Sequence, residues 1–206
     1  MIAVGLGTGR CGTRSLTKFF KENGVDAVHE HHRLPWIPDY EEAENALENL
    51  KGRSSVAFYW LNYVDWLRVR CPGVKFVCLK REREKVVRSF NKGFGCSIIN
   101  SKVLPPVEMR LSKLYDRSIL DTVDASTREW METSWDDEWD ADGVGVCLPD
   151  YDVHDKRTYV ERYWDDYYTV AEQHVGDDFI IIDLEYGLNT DEGRREILTH
   201  IGVDCC

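Results

Sequence analysis

Ile2-Ala3-Val4-Gly5-Leu6-Gly7-Thr8-Gly9-Arg10-Cys11-Gly12-Thr13-Arg14-Ser15-Leu16 carries a short apolar run into a glycine-rich loop and then into a helix-length segment. Glycines let the backbone bend sharply and approach a ligand closely, so consecutive N–H groups can be aimed at an anion. A helix starting near Thr13 adds its unpaired amides and the positive end of its dipole. Thr13 and Ser15 bring hydroxyl donors, and Arg10 brings a planar fork that matches phosphate or sulfate oxygens. The stretch therefore predicts a strand–loop–helix unit that holds a phosphate-like anion.

Outward from this unit, β-rich runs alternate with amphipathic segments of helix length. Strands are expected at 2–6, 25–29, 55–59, 74–79 and 179–183, several of them continuously apolar, as in parallel strands covered on both faces. Helices are expected at about 13–23, 39–50, 62–71, 83–92, 108–122, 156–175 and 191–201. Gly24 and Pro72-Gly73 supply stop signals for the first and third of these. The alternation predicts one three-layer α/β domain over 1–206, with a central, mostly parallel sheet of about five strands. Residues 93–155, with Pro105-Pro106 and Trp130, Trp135 and Trp139 among acids, break the rhythm. An insertion of that length is expected to form a helical lid or acceptor-binding segment.

Three templates compete for the loop. Gly7 and Gly12 have the Walker A spacing, but Thr13 stands where its Lys belongs and Arg14 where its Ser or Thr belongs. Gly7, Gly9 and Gly12 also spell Gly-x-Gly-x-x-Gly, with Glu30 near the end of the second strand, about where a dinucleotide fold places its ribose-binding acid. The third template is a loop with a basic residue inside it, as Arg10 is here.

A second motif bears on the choice. Lys75-Phe76-Val77-Cys78-Leu79-Lys80-Arg81 is a strand that ends on an Arg, and Ser89 follows eight residues later, about two turns into the next helix. An Arg leaving the carboxyl end of a strand faces the crevice where α/β folds bind ligands. Arg81 and Ser89 can then grip one phosphate from two sides.

The two motifs together resemble those of sulfotransferases that use 3′-phosphoadenosine-5′-phosphosulfate (PAPS). Gly7-Thr8-Gly9-Arg10-Cys11-Gly12-Thr13-Arg14-Ser15-Leu16 is similar to the family's 5′-phosphosulfate loop, and Arg81 with Ser89 to its 3′-phosphate element. Ile180-Ile181-Ile182-Asp183-Leu184-Glu185-Tyr186-Gly187-Leu188, followed by a helix reaching Ile201-Gly202, resembles a C-terminal family segment in which Glu185 is a structural acid. The likeness is closer to carbohydrate-type and bacterial members than to cytosolic aryl sulfotransferases. It implies a P-loop-like fold, PAPS as donor with PAP as product, and a small-molecule or glycan hydroxyl as acceptor. It also implies that Gly9, Arg10, Cys11, Gly12, Thr13, Arg14, Ser15, Arg81 and Ser89 hold the nucleotide. The family's Asn-Pro or Asp-Pro after the Arg is replaced by Glu82-Arg83, and its basic residue on the third strand is missing, leaving Tyr59 or Asn62 to line that part of the cleft. A P-loop kinase or NTPase, or a non-catalytic nucleotide-binding module, stands as the alternative.

Sulfuryl transfer needs a base for the acceptor hydroxyl and positive charge for the transferring oxygens. Arg10 suits the second role. Val28-His29-Glu30-His31-His32 closes the second strand, and by the resemblance Glu30 is the base, with His31 and His29 next. Four consecutive ligand-type residues alternate faces on a strand, so at most two converge and no metal site is expected.

A net charge of −11 argues against a nucleic-acid partner, because backbone affinity comes from Lys and Arg. The charge is uneven. Lys75–Lys92 is rich in Lys and Arg, whereas Asp124–Asp155 holds a single Arg, Arg128, and no Lys among its acids. Seven cysteines without CxxC spacing read as free thiols of a reducing compartment. No apolar run approaches the roughly 20 residues of a membrane-spanning helix, and no leader precedes the first strand, so a cytoplasmic location is expected.

Overall fold

The computed structural model describes residues 3–32, 34–90, 148–149, 151 and 156–203. Five strands, β1 (Ala3–Leu6), β2 (Ala27–His29), β3 (Ser54–Val56), β4 (Lys75–Lys80) and β5 (Phe179–Asp183), form one sheet in the order β2-β3-β1-β4-β5. All four pairings are parallel. The helices are α1 (Thr13–Glu22), α2 (Tyr40–Leu50), α3 (Val64–Arg70), α4 (residues 83–90), α5 (Lys156–Gln173), α6 (Leu184–Asn189) and α7 (Asp191–His200). The expected α/β architecture with its parallel five-stranded sheet is the one observed.

The period of two in the strands sorts side chains into two cores. On β4, Phe76 and Cys78 face one cluster and Val77 and Leu79 the other. The first is completed by α2, α3, α4 and α5, the second by Leu16, Phe19 and Phe20 of α1 and Ile197 and Leu198 of α7. Sheet and helices thus make three layers. Burial of each large apolar side chain, such as Phe20, Phe76 or Phe179, is worth about 1.5–3 kcal/mol.

The chain leaves β1 for the β2–β3 side of the sheet and returns on the other side at β4. The connections after β1 and β4 therefore open side by side at the carboxyl ends of neighbouring strands, where α/β sheets form their ligand crevice.

Two local departures have physical causes. The third strand stops at Val56 rather than 59, and Phe58–Tyr63 forms a 3₁₀ turn. A strand would send alternate residues to opposite faces, whereas the turn puts Tyr59, Trp60, Leu61 and Tyr63 into one core. Beyond β5, a short α6 that the sequence reading passed over is nucleated by Asp183. Its carboxylate accepts from the amides of Glu185 and Tyr186, both at 2.9 Å.

Apart from 148–149 and 151, the segment 93–155 lies outside the described residues, as does the helix expected at 108–122. Leu148 is buried in the first core, and the Pro149 carbonyl accepts from the Tyr159 hydroxyl at 2.6 Å. Among the described residues no helix is long and apolar enough to cross a membrane.

Candidate functional site

The loop after β1 is built from backbone conformations that a side chain resists. Gly7 has φ 138° and Gly12 φ 83°, both in the region that favours glycine. A Cβ on Gly9 would lie 2.9 Å from the Phe90 ring, and one on Gly12 2.6 Å from Leu184. Arg10 adopts φ 66°, a conformation that costs a non-glycine residue of order 1–3 kcal/mol and is usually kept for function.

The helix that follows is left open to an anion. Gly12 caps α1 without a side-chain hydrogen bond, and no acidic residue lies in its first turn. By contrast, α2, α6 and α7 are capped by Asp39, Asp183 and Thr190 and carry acids in their first turns. The first amides of a helix have no intrahelical partner, so those of Thr13, Arg14 and Ser15 and the dipole behind them are available to a bound anion. Arg14 and Ser15 are exposed.

Arg10, Arg81 and Ser89 come together. Arg10 Nε donates to Ser89 Oγ at 3.3 Å, and Arg81 Nη1 donates to the Arg10 carbonyl at 3.1 Å. Arg81 Nε is buried and has no hydrogen-bond partner among the described residues. Of the other described cations of this segment, Lys80 pairs with Glu172, Arg83 with Asp165, Lys85 with Glu185 and Arg88 with Glu84, and Lys75 donates to the Asp177 carbonyl. The basic run is therefore not a general positive surface. Arg81 stands out in it as the described arginine with no carboxylate partner among the described residues.

Cys11, expected among the nucleotide-holding residues, faces inward. Its amide donates to the Thr8 carbonyl at 3.1 Å and its thiol to the Leu79 carbonyl at 2.9 Å. Burial pushes that thiol up to about 11, so it stays protonated and serves the frame of the loop. The same frame is gripped by one face of α5, which the sequence reading took only as a helix. Tyr167 accepts from the Gly7 amide at 3.0 Å and donates to the Phe58 carbonyl at 3.0 Å. Tyr168 donates to the Leu79 carbonyl at 2.7 Å, and the Trp164 indole to the Arg81 carbonyl at 2.9 Å. The repeat of aromatic pairs at 163–164 and 167–168, one helical turn apart, was the available signal.

The cluster after β2 diverges. His29 Nε2 lies 2.9 Å from Thr13 Oγ1 and 3.5 Å from Glu30 Oε1, which places the carboxylate near the start of α1. Glu30 has φ 42° and donates its amide to the Val56 carbonyl at 3.1 Å. His31 points elsewhere. Its Nε2 must donate to the Ala46 carbonyl at 3.1 Å, its Nδ1 then accepts from Ser55 Oγ at 3.4 Å, and its ring stacks on Trp60. His32 pairs with Glu42 at 2.5 Å. Of the expected third-strand cleft residues, Tyr59 is buried and Asn62 donates to the Trp36 carbonyl at 2.7 Å.

Burial, with the Arg14 charge nearby, lowers the His29 pKa from 6.5 to about 4. Between those values the unfolded chain binds a proton that the folded one refuses. His29 should therefore cost nothing above pH 6.5 and destabilise the fold as pH falls toward 4, by up to about 1.4 kcal/mol per pH unit. Unfolding free energies of the native chain and His29→Gln across pH 7 to 4.5 check this. The difference should swing toward the variant as pH falls, and a difference that does not change with pH contradicts it.

No protein-family description matches the chain, and no curated protein does. Among solved structures it is similar to a sulfotransferase from Alicyclobacillus acidocaldarius, at 15% identity and a TM-score of 0.49, over 98% of this chain and 81% of that one.

Proposed function

We propose that the chain is a sulfotransferase that takes its sulfuryl group from PAPS and passes it to a hydroxyl of a small-molecule or glycan acceptor. The observation that carries this reading is the convergence of Arg10 with Arg81 and Ser89 beside an uncapped helix N-terminus. A buried guanidinium Nε without a hydrogen-bond partner among the described residues suits a ligand that brings its own oxygens. The donor would supply an activated sulfuryl group at one end and a 3′-phosphate as a handle at the other.

In this reading Gly9, Gly12, Thr13, Arg14 and Ser15 present amides and hydroxyls to the 5′-phosphosulfate, while Cys11 keeps the loop in shape from behind. Arg81 and Ser89 hold the 3′-phosphate. Arg10, held between the two elements, neutralises charge that builds on the peripheral oxygens during transfer. Glu30 accepts the proton of the attacking hydroxyl. His29 orients that carboxylate from the Thr13 side. His31, with both ring nitrogens engaged by the frame, is left out of the chemistry. A kinase reading lacks the loop lysine, since Thr13 occupies its place.

Thermal unfolding with added ligands tests this, because a ligand specific for the folded state raises its melting temperature by mass action. PAP should stabilise the protein more than ATP or NAD, and a chelator should leave the effect unchanged. Stabilisation by ATP that depends on magnesium, with none from PAP, contradicts the proposal.

A further inference from the structure

Among the described residues three buried side-chain polar atoms make no hydrogen bond of good geometry: Thr8 Oγ1, which lies beside Cys11 and Tyr168, Arg81 Nε, and Tyr163 Oη, which lies beside the Gly9 amide. All three belong to the loop after β1 or to elements packed on it. Buried polar groups in folded proteins are nearly always satisfied, so such a cluster calls for an explanation. Tyr163 is the most informative of the three. It is fully buried on α5, in the same turn-and-a-half as Tyr167 and Tyr168, whose hydroxyls both donate to carbonyls. The Tyr163 hydroxyl faces the Gly9 amide and lies within electrostatic reach of Glu30. Burial holds its pKa well above 10, so its oxygen keeps a proton for which the described residues offer no acceptor.

We propose that Tyr163 is a further ligand-binding residue of this site, its hydroxyl donating to an oxygen of the anion held between Gly9 and the start of α1. The inference rests on the reading that the loop holds an anion. It adds a donor from α5, on the opposite side of the loop from the α1 amides.

The hydroxyl is shut off from solvent. The Phe90 ring packs against Gly9 and stands edge-on to Tyr163, with ring centroids 6.1 Å apart. Phe90 follows Ser89, whose hydroxyl accepts from Arg10 Nε. An anion that takes over Arg10 and Ser89 therefore acts on the residue beside this ring. For an oxygen to reach Tyr163, Phe90 would have to shift, and it neighbours the Ser89 that the anion would engage.

The full chain, its Tyr163→Phe variant and its Tyr167→Phe variant distinguish a ligand donor from a structural hydroxyl. Melting temperatures without ligand and calorimetric titrations with PAP and with inorganic pyrophosphate, all in chelator, are the measurements. Removing a hydroxyl whose proton has no acceptor among the described residues should change the melting temperature of Tyr163→Phe little, while removing the two-way clasp in Tyr167→Phe should lower it clearly. Tyr163→Phe should weaken PAP and pyrophosphate by roughly 10- to 150-fold, the range for a hydrogen bond to a charged group. Native-like affinities in Tyr163→Phe overturn the proposal, and so does a lowered melting temperature with affinity lost only in step with it. If the native protein binds pyrophosphate but not PAP, the PAPS reading fails and Tyr163 is judged on pyrophosphate alone. If it binds neither, both fail.

Discussion

Glu30→Gln should lower sulfuryl transfer by about 10²–10⁴-fold while leaving PAP affinity nearly unchanged. The variant keeps the shape of the side chain and removes its basicity. The position favours a base because Glu30 leaves the carboxyl end of β2 with φ 42°, an unusual conformation for a residue that is not glycine. Its carboxylate lies 3.5 Å from His29 Nε2, which is itself 2.9 Å from Thr13 Oγ1 at the N-terminus of α1, where the proposed anion would be held. His31→Ala should instead reduce stability, since its ring nitrogens hold the Ala46 carbonyl and Ser55. Steady-state rates with PAPS and an accepted hydroxyl substrate, alongside PAP titrations, check this. Near-normal turnover in Glu30→Gln with loss in His29→Ala would move the base to the histidine. Loss of nucleotide affinity alone would make Glu30 a ribose ligand and favour a dinucleotide site.

What the sequence revealed of this site is what lies close together along the chain. The glycine spacing from Gly7 to Gly12 and the eight-residue step from Arg81 to Ser89 are local patterns, and the fold brings those two elements into contact. Sheet and helix order were legible for the same reason, because apolar runs and the stop signals at Gly24 and Pro72-Gly73 act within a few positions. The inward turn of Cys11 was not legible, since spacing within a glycine loop does not fix the direction of a side chain. Nor was the grip of α5, because Gly7 and Tyr167 are 160 residues apart and meet only through packing across the sheet. Charge counting along the chain stops short for the same reason. The cations of 80–88 look like a basic patch along the chain, yet Asp165, Glu172 and Glu185 arrive from remote segments to neutralise several of them. The residue left over, Arg81, is the informative one.

That leftover charge gives the second large effect and the most direct test. If Arg81 and Ser89 hold a 3′-phosphate, the native protein should bind PAP far more tightly than adenosine 5′-monophosphate, which lacks that group. Arg81→Ala should remove most of the difference by weakening PAP by about 1.5–3 kcal/mol, roughly 10- to 150-fold, while adenosine 5′-monophosphate stays as it was. The second nucleotide serves as the control for the loop, because Arg81 also donates to the Arg10 carbonyl and its removal disturbs the backbone there. The measurement is a calorimetric titration of both nucleotides, in chelator, into the native chain and into Arg81→Ala. A marked native preference for PAP that disappears in the variant is the predicted result. Equal binding of the two nucleotides by the native chain, or a PAP preference that survives in Arg81→Ala, would contradict the account.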